Sequence, residues 1–372
     1  MTAPTETVWP LEPHTRAKHE ILRRYLEAWT AILSLGGFPK IAYVDGFAGP
    51  GVYDNGEDGS PVIALKAALK HQAKIRAELR FLFIEQDKKR AAQLQTCIAS
   101  FALPDNFLVR VVGGKTFEQG FREYLLEPFR NARKPLPPTF AFIDPFGWKG
   151  VPFALVREIL SNTSCEILFN FMYEEINRFI GHPDQPKNFD DLFGSPAWRG
   201  VTQITDARER RDFLHGLYMR QLREEAGARY VRSFEMRNKK DATDYFLFFA
   251  TNSPKGMEKM KEAMWKVDES GEFRFSDATN PLQTLLFSPQ PNFAALQASI
   301  IHAFQGTEVT IAEIEDFVLA STPFRTTHYK KQVLAELERE GRVAPVNPKP
   351  GRKARSFGDP DMRLRFARES EP

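Results

Sequence analysis

The sequence predicts an α/β fold, in which a Rossmann-like sheet with an N-terminal helix and a helical insertion precedes a C-terminal winged-helix-like domain. Three observations lead to this prediction. Five apolar segments of strand length alternate with helical segments in the first half of the chain. A glycine-rich turn follows the first of these strands. Near the C-terminus, three short helical segments precede a strand and a basic stretch.

The chain has 372 residues, which is enough for one large α/β domain and a smaller one. We expect the α/β domain to span residues 1–288, with the helical insertion at about 173–228, and the winged-helix-like domain to span residues 289–372. The predicted linker is Ser288–Asn292, because two prolines stand there and the alternation of strands and helices ends.

The composition narrows the classes of function. The formal net charge is only +3, so nucleic-acid binding would have to rest on local basic clusters. Cys97 and Cys165 lie in apolar segments without further ligands at metal-binding spacing, so we expect buried core thiols and no metal site. The polar first residues and the lack of a long apolar run predict neither a signal peptide nor a membrane span, and hence a soluble cytoplasmic protein.

The first predicted helix covers His14–Leu35, where apolar residues recur at helical spacing. The strand that follows breaks at Asp45-Gly46-Phe47-Ala48-Gly49-Pro50-Gly51, where closely spaced glycines let the backbone approach a ligand. A purely structural turn is the alternative for this loop. Val52–Gly59 is a polar insertion placed to close over a ligand, and Ser60-Pro61 begins the next helix.

The second strand, Arg80 to Asp87, ends in acidic residues and precedes a helix over Lys88–Phe101. Glu85 would then lie at the carboxyl edge of the parallel sheet, where ligands bind and a carboxylate can hold a ribose diol. Capping of the next helix is the alternative for Glu85. A third strand, Phe107–Val112, and a capping box at Thr116–Gln119 continue the alternation.

The fourth strand ends in a compact turn, Asp144-Pro145-Phe146-Gly147-Trp148, and a fifth strand covers Ile167–Met172. For Asp144 the alternative to a role at a site is to cap the next helix. Two further strands, Arg229–Met236 and Thr243–Thr251, are predicted to close the sheet, and a helix covers Ser253–Trp265.

Three predicted helices near the C-terminus, Phe293–Phe304, Thr310–Leu319 and Thr326–Glu340, precede a short strand from Val343 and indicate a winged helix. The basic side chains expected to contact nucleic acid, on the third helix and on the wing, are Lys330, Lys331, Lys349, Arg352, Lys353 and Arg355. The alternative is a helical protein-interaction module with a disordered basic tail.

The glycine loop, the acid after the second strand and the Asp-Pro turn after the fourth together indicate an S-adenosylmethionine-dependent methyltransferase fold. Asp45 is suited to the ammonium of the methionine moiety and Glu85 to the ribose. The other cofactor-binding residues predicted on the loop are Gly46, Phe47, Gly49 and Gly51.

The turn after the fourth strand indicates amine methylation. Methyltransferases that act on amines carry Asp or Asn, two prolines and an aromatic residue at this place. Here Asp144 and the Pro145 carbonyl would accept hydrogens from the amine, and Phe146 or Trp148 would stack on a flipped base. The sequence departs from that pattern, because Phe146 replaces the second proline and Gly147 the aromatic residue.

Three segments, Asp45–Gly51, Phe142–Gly147 and Ala250–Trp265, resemble the three-Cys-motif partner protein family. The resemblance extends from about Pro13 to Asp268. It implies a methyltransferase-like fold and a partner that carries a three-cysteine motif, for which a radical-type iron–sulfur protein is one candidate. More distantly, Lys18-His19 and the Asp-Pro turn are similar to ribosomal-RNA adenine methyltransferases, which implies a place for Lys18 in the cofactor site.

These observations predict an S-adenosylmethionine-dependent methyltransferase that acts on an amino group of a nucleic-acid base and works with a three-Cys-motif partner. Two other functions stay open. The altered turn after Asp144 is compatible with an inactive binding or regulatory subunit that keeps the fold. A methyltransferase for a small molecule or a peptide is the other alternative.

Overall fold

The computed structural model describes residues 7–8, 10–71, 75–278 and 291–368. Within them the chain divides into two compact units. The first unit comprises the described residues up to 263 together with 274–278, and the second comprises 264–273 and 291–368. Of the predicted linker Ser288–Asn292, residues 288–290 lie outside the described part of the chain.

The helices, numbered in chain order, are α1 Pro13–Leu35, α2 Ser60–Leu69, α3 Lys88–Ala99, α4 Phe117–Phe121, α5 Glu127–Asn131, α6 Phe153–Leu160, α7 Tyr173–Phe179, α8 Pro186–Phe193, α9 Ala207–Arg220, α10 Pro254–Trp265, α11 Phe293–Phe304, α12 Ile311–Ser321, α13 Thr326–Tyr329 and α14 Ala335–Arg339. The strands are β1 Lys40–Asp45, β2 Glu78–Glu85, β3 Phe107–Gly113, β4 Thr139–Ile143, β5 Cys165–Phe171, β6 Tyr230–Arg237, β7 Thr243–Thr251, β8 Arg274–Ser276, β9 Glu308–Thr310, β10 Val343–Pro345 and β11 Arg363–Phe366. A 3-10 helix covers Pro196–Gln203, and π-helical turns cover Arg122–Leu126, Gln221–Glu225 and Lys330–Leu334.

The first unit is built on an eight-stranded sheet in the order β3-β2-β1-β4-β5-β7-β6-β8. Strands β1 to β5 pair in parallel, whereas β7 lies antiparallel between β5 and β6. A mostly parallel sheet of this kind is typical of Rossmann-like methyltransferases, so the predicted fold class is confirmed. The strand order reverses between β1 and β4, which places a ligand crevice at their carboxyl ends.

Burial on both faces explains why the central strands are continuous apolar runs. Every residue of β4 and β5 is buried, and in β1 only Lys40 is not. Helix α1 covers one face with its apolar stripe, and the Tyr25 ring lies 5.1 Å from the rings of both Phe140 and Phe249. The helix predicted from His14 is confirmed and begins one residue earlier, with a proline in its first turn.

The region between β5 and β6 is helical, as predicted for residues 173–228, and contains α7, α8, the 3-10 helix and α9. Its aromatic side chains extend the core, since the Phe189 ring lies 5.5 Å from the Trp148 ring and 5.3 Å from that of Trp198. Strand β8 pairs in parallel with β6. The sequence does not predict it, because three residues carry no readable periodicity.

The second unit is a winged helix, as predicted, with helices α11 to α14 and a small sheet in the order β10-β11-β9. The predicted third helix, Thr326–Glu340, is interrupted by a π-helical turn and therefore appears as α13 and α14. Residues 346–362 form an irregular wing between β10 and β11. The sequence does not predict strand β9 either, because a strand of three residues shows no readable periodicity.

The two thiols differ in exposure. Cys165 is buried, as predicted, but the prediction is wrong for Cys97, which is only half-buried. The reason is that Cys97 flanks the buried stripe of α3, which is formed by Arg90, Ala91, Leu94 and Ile98. Across the described ranges, no helix combines the length and the hydropathy that a membrane span requires.

Candidate functional site

The glycine-rich loop after β1 has a backbone conformation that side chains would disturb. Gly49 and Gly51 have positive φ angles of 63° and 86°, which residues with a Cβ rarely adopt. The Gly59 N–H donates to the Gly51 carbonyl over 2.8 Å. A Cβ on Gly59 would lie 2.9 Å from the Gly51 carbonyl carbon, which is too close for a real side chain. The loop therefore presents backbone rather than side chains at the carboxyl end of β1.

Glu85, at the end of β2, holds the glycine-rich loop through a hydrogen bond to its backbone. Its Oε2 accepts the Gly49 N–H over 2.8 Å, and its Oε1 accepts the Asp87 N–H over 2.8 Å. The alternative prediction, that Glu85 caps the next helix, is wrong because Asp87 is the cap of α3 and accepts the N–H groups of Lys89 and Arg90. Each Glu85 oxygen keeps a further lone pair for another donor.

Asp45 lies buried beneath the loop. Its carboxylate accepts the Phe47 N–H over 3.3 Å and the Tyr43 hydroxyl over 3.4 Å. Burial raises the pKa of Asp45 to about 7, because the ionised form loses its hydration. The next residue, Gly46, donates its N–H to the Phe142 carbonyl, and a Cβ there would lie 2.6 Å from the Phe117 ring.

A cavity of about 300 Å³ opens beside the loop, a volume at the lower end of small-molecule sites. The predicted site residues that line it are Lys18, Phe47, Gly49, Gly51, Asp144, Pro145 and Phe146. The predicted site residues outside its wall are Asp45, Gly46, Glu85 and Trp148. The wall also contains His14 and His19, to which sequence reasoning assigned no role of their own in the site, and Tyr53, Asn170, Met172 and Tyr245, which no sequence motif identifies.

Lys18, Asp144 and Asn170 form one polar cluster in this wall. The Lys18 Nζ lies 2.6 Å from Asp144 Oδ2, and the Asn170 Nδ2 donates to Asp144 Oδ1 over 2.5 Å. The Lys18 and Asn170 side chains are buried, with relative exposures of 6% and 2%. Both Asp144 oxygens therefore have a protein donor, and the alternative that Asp144 caps the next helix is wrong, because Pro152 holds the cap position without a side-chain bond.

The two aromatic residues of the Asp-Pro turn are in different surroundings. Phe146 lines the cavity and is 40% exposed, and the Arg90 guanidinium lies 5.8 Å from the centre of its ring. Trp148 is buried, with its ring 4.9 Å from Phe179, in the core that the helical insertion completes. Of the two rings predicted to stack on a base, only Phe146 is in the cavity wall.

The insertion after the loop forms a small hairpin over the cavity. Val52 and Asp58 form an antiparallel bridge, and Glu57 is paired with Arg16 of α1. The Tyr53 ring lies 5.7 Å from the His19 ring. Burial lowers the pKa of His19 to about 3, with the Lys18 charge adding to the effect, so His19 is neutral in this wall.

His14 and Tyr245 form the other side of the cavity. The His14 Nδ1 lies 2.7 Å from Asp277 Oδ2, and its Nε2 lies 3.2 Å from Glu12. The Tyr245 hydroxyl donates to the His14 carbonyl over 3.3 Å, and the Lys18 Nζ lies 5.3 Å from the centre of the Tyr245 ring. His14 belongs to the segment His14–Lys18, which also fits the family resemblance, whereas no sequence motif identifies Tyr245.

The predicted nucleic-acid-binding residues of the winged helix differ in how they are held. Lys330 pairs with Glu315 over 3.0 Å, and Lys349 with Asp359 over 2.9 Å. Arg352 makes two bonds to Glu338, of 2.9 and 2.7 Å, and the Arg355 N–H donates to the same carboxylate. Lys331 and Lys353 are exposed and form no ion pair with any residue that the structure describes. In the same ranges, no group of three His, Cys, Asp or Glu residues has an arrangement that would hold a metal ion.

A family model described as the GMT-like wHTH domain matches residues 274–350. The match includes β8 and helices α11 to α14, and it agrees with the winged helix that the structure has. It covers only the C-terminal part of the chain.

The chain is also similar to solved structures. One is the protein LPL1258 from Legionella pneumophila, with 15% identity and a TM-score of 0.36 over 63% of this chain and 85% of that one. Another is an O-methyltransferase from Bacillus cereus in complex with SAH, with 15% identity and a TM-score of 0.34 over 65% of this chain and 82% of that one. No curated protein matches the chain.

Proposed function

We propose that this protein is an S-adenosylmethionine-dependent methyltransferase that methylates an amino group of a nucleic-acid base. The observation that supports it best is the position of Asp144, whose carboxylate lies in the wall of the same cavity as the glycine loop. The sheet order provides this arrangement, because β1 and β4 are adjacent and end at the same edge.

The residues present fit this cofactor. The loop has no room for added side chains at Gly46, Gly51 and Gly59, so a ligand can approach the loop backbone closely. Asp45 and Glu85 lie behind the loop and outside the cavity wall. In this proposal the ionised Asp45 balances the ammonium of the methionine moiety from beneath the loop, and Glu85 offers its remaining lone pairs to the ribose hydroxyls. When bound, S-adenosylmethionine would supply an electrophilic methyl group: its carbon–sulfur bond would break as the carbon–nitrogen bond forms, and the nitrogen would then release one proton to solvent.

The acceptor amine is bound by the turn after β4. Asp144 accepts one of its N–H hydrogens, which helps to direct the nitrogen lone pair at the methyl group. The Lys18 ammonium, 2.6 Å from Asp144, balances the carboxylate charge in this buried wall. Phe146, exposed on the cavity side, is the ring on which an unstacked base would lie.

The winged helix supplies the contact with the nucleic acid in this proposal. Lys331, on the third helix, and Lys353, on the wing, are exposed cations with no ion pair among the described residues, and each can neutralise a phosphate. Lys330 and Lys349 lie on the same two elements but are paired with Glu315 and Asp359, and Arg355 is an exposed cation on the wing.

A three-Cys-motif protein is the proposed partner. Support comes from the family resemblance of Asp45–Gly51, Phe142–Gly147 and Ala250–Trp265. Co-expression of a tagged copy of this chain with a three-Cys-motif protein from the same organism should give a complex that survives gel filtration. Elution of the two proteins as separate peaks at micromolar concentration would contradict the partnership.

The cofactor is tested by calorimetry with S-adenosylmethionine. We expect the wild type to bind it, and Asp45→Ala to weaken binding about tenfold or more, because a buried charge pair is lost. Asp184→Ala, at an Asp side chain that is 81% exposed, is the matched control and should bind like the wild type. Folded wild-type protein that binds no S-adenosylmethionine would overturn the proposal.

The acceptor is tested by transfer of a labelled methyl group to heat-denatured DNA and to single-stranded RNA. Asp144→Ala should lower turnover about 100-fold while leaving cofactor affinity within about twofold, because Asp144 is assigned to the amine. Equal turnover by Asp144→Ala and the wild type would remove Asp144 from the mechanism.

A further inference from the structure

Asn170 lies in β5, one residue before the strand ends, and its side chain is in the wall of the candidate cofactor cavity. Only 2% of the residue is exposed. Its neighbours in that wall include Asp144 and Met172, which its Nδ2 contacts at 2.5 and 3.3 Å. The Asp-Pro motif does not include Asn170, because the residue belongs to the next strand along the chain.

The chemistry of Asp144 fixes which way the Asn170 amide is turned. An ionised carboxylate only accepts hydrogen bonds, so the NH₂ group of Asn170 must face it. The carbonyl oxygen, Oδ1, then faces away from Asp144. This oxygen is buried and has no hydrogen-bond partner among the described residues. A buried acceptor without a donor is costly, and it points to a donor supplied by a bound ligand.

The position of Oδ1 determines what that donor is. Asn170 and Asp144 are hydrogen-bonded neighbours that both line the cavity, so a group bound at the Asp144 carboxylate lies next to the Asn170 amide. A primary amino group has two N–H hydrogens, one for each acceptor. A hydroxyl group has one hydrogen, and so does an amine that already carries a methyl group.

Resting on the proposed function, we propose that Asn170 is a specificity-determining residue whose Oδ1 accepts the second N–H of the acceptor amine. The pair Asp144 and Asn170 then recognises an unmethylated exocyclic amine, as in adenine or cytosine. The monomethylated product can satisfy only one of the two acceptors. The enzyme consequently adds only one methyl group, because rebinding of the monomethylated product would leave one buried acceptor without a hydrogen bond.

Binding is measured first, because it tests the proposal even if the purified protein shows no methyl transfer. Protein saturated with S-adenosylhomocysteine is titrated with adenosine, cytidine and their N-monomethylated forms. The wild type should bind the unmethylated nucleoside about tenfold more tightly than the monomethylated one, because the monomethylated nucleoside leaves one buried acceptor without a hydrogen bond. Leucine has a similar shape to asparagine but no hydrogen-bond acceptor. Asn170→Leu should therefore lower the affinity for the unmethylated nucleoside and bring the ratio of the two affinities close to one.

If Asn170 had a purely structural role, Asn170→Leu would lower the affinities for the unmethylated and the monomethylated nucleoside equally. The ratio of the two affinities would then stay unchanged, and this result would overturn the proposal. A loss of S-adenosylmethionine affinity greater than the loss of nucleoside affinity would also overturn it, since Oδ1 would then serve the cofactor. Asn162→Leu is the matched control, because that amide bonds backbone carbonyls at the end of α6 and lies outside the cavity wall.

Turnover gives the second measurement. With a single-stranded oligonucleotide as acceptor, the wild type should produce the monomethylated base only, and Asn170→Leu should lower the ratio of kcat/KM for the unmethylated over the monomethylated acceptor about tenfold. Dimethylated product from the wild type would refute the Asn170 proposal while leaving methyl transfer intact. Wild type that binds S-adenosylmethionine but neither nucleoside would refute it as well, whereas failure to bind the cofactor would refute the proposed function itself.

Discussion

At the scale of single residues, Asp45 is the group whose protonation the structure makes most consequential. Its pKa is about 7 in the folded protein and 3.8 as the ordinary value, because the ionised carboxylate is buried. Between these two pH values the folded state binds more protons than the unfolded state. Stability therefore falls as pH rises through this window, by at most about 1.4 kcal/mol per pH unit, and the loss is complete above pH 7.

Asp45→Asn removes this titration. We expect the difference in free energy of unfolding between Asp45→Asn and the wild type to grow as pH rises from 5 to 8 and to level off above the Asp45 pKa. Urea denaturation at each pH measures it. In the same series, wild-type affinity for S-adenosylmethionine should rise with pH through 7, because only the ionised carboxylate balances an ammonium. A difference that does not vary with pH would show that Asp45 keeps its ordinary pKa.

Residues in motifs could be predicted from the sequence, and residues outside motifs could not. The glycine loop and Asp144 each follow a strand, so their place at one sheet edge follows from the parallel alternation. Lys18 came from a family resemblance, and the structure places it 2.6 Å from Asp144. Asn170 and Tyr245 lie in strands whose apolar runs identify the strand but give no weight to one polar side chain within it.

At the scale of secondary structure elements, Glu166 joins α1, β5 and β7. Its carboxylate is buried and accepts the Tyr25 hydroxyl over 2.5 Å and the Thr251 hydroxyl over 2.7 Å. A Cβ on Gly256 of α10 would clash with Glu166 Oε1, so the carboxylate also fills the space beside that helix. These contacts hold the first helix against the sheet from the end opposite the cavity.

Glu166→Ala leaves two buried hydroxyl groups without their acceptor and opens a cavity. We expect a loss of about 3 kcal/mol in the free energy of unfolding. The measurement is urea denaturation followed by circular dichroism. Glu225→Ala, at an exposed glutamate, is the control and should stay within about 0.5 kcal/mol of the wild type. Equal stability of Glu166→Ala and the wild type would show that this buried network contributes nothing.

The elements themselves were predictable in proportion to their length. Helix α1 has 23 residues and a clear apolar stripe, and its predicted bounds differ from the observed ones by one residue. Strands β8 and β9 have three residues each and depend on pairing with β6 and β11, which local pattern does not encode. The π-helical turn at Lys330–Leu334 likewise depends on tertiary packing.

At the scale of the whole molecule, the winged helix separates cations that hold the fold from cations available to a partner. Arg352 is 12% exposed and bonded twice to Glu338, whereas Lys353 next to it is exposed. Arg352→Ala should lower the melting temperature of the protein through a loss of about 2 kcal/mol, because a double charge-assisted hydrogen bond disappears.

Lys353→Ala should leave the melting temperature unchanged and instead reduce the salt dependence of binding to a mixed-sequence oligonucleotide by about one unit of slope, the share of one phosphate contact. Fluorescence anisotropy at several salt concentrations measures the slope. An unchanged slope would remove Lys353 from the nucleic-acid contacts. Since the two residues are neighbours in sequence, each variant serves as the control for the other.

The architecture as a whole followed from the order of elements, because a parallel alternation followed by three helices and a basic hairpin has few compact solutions. The order of the elements does not show which basic residues form ion pairs within the fold. Arg352 and Lys353 look alike in the sequence, and only the position of Glu338 on the neighbouring helix distinguishes them.

The cavity wall draws on both ends of the first unit, since Lys18 belongs to α1 and Tyr245 to β7. During synthesis, a ribosome that has released only the first five strands has therefore made the loop and Asp144 but not the strand that carries Tyr245 and backs the Lys18 side chain. Domains fold as units, N-terminal first. A nascent chain consequently completes this cavity wall only after β7 has been synthesised.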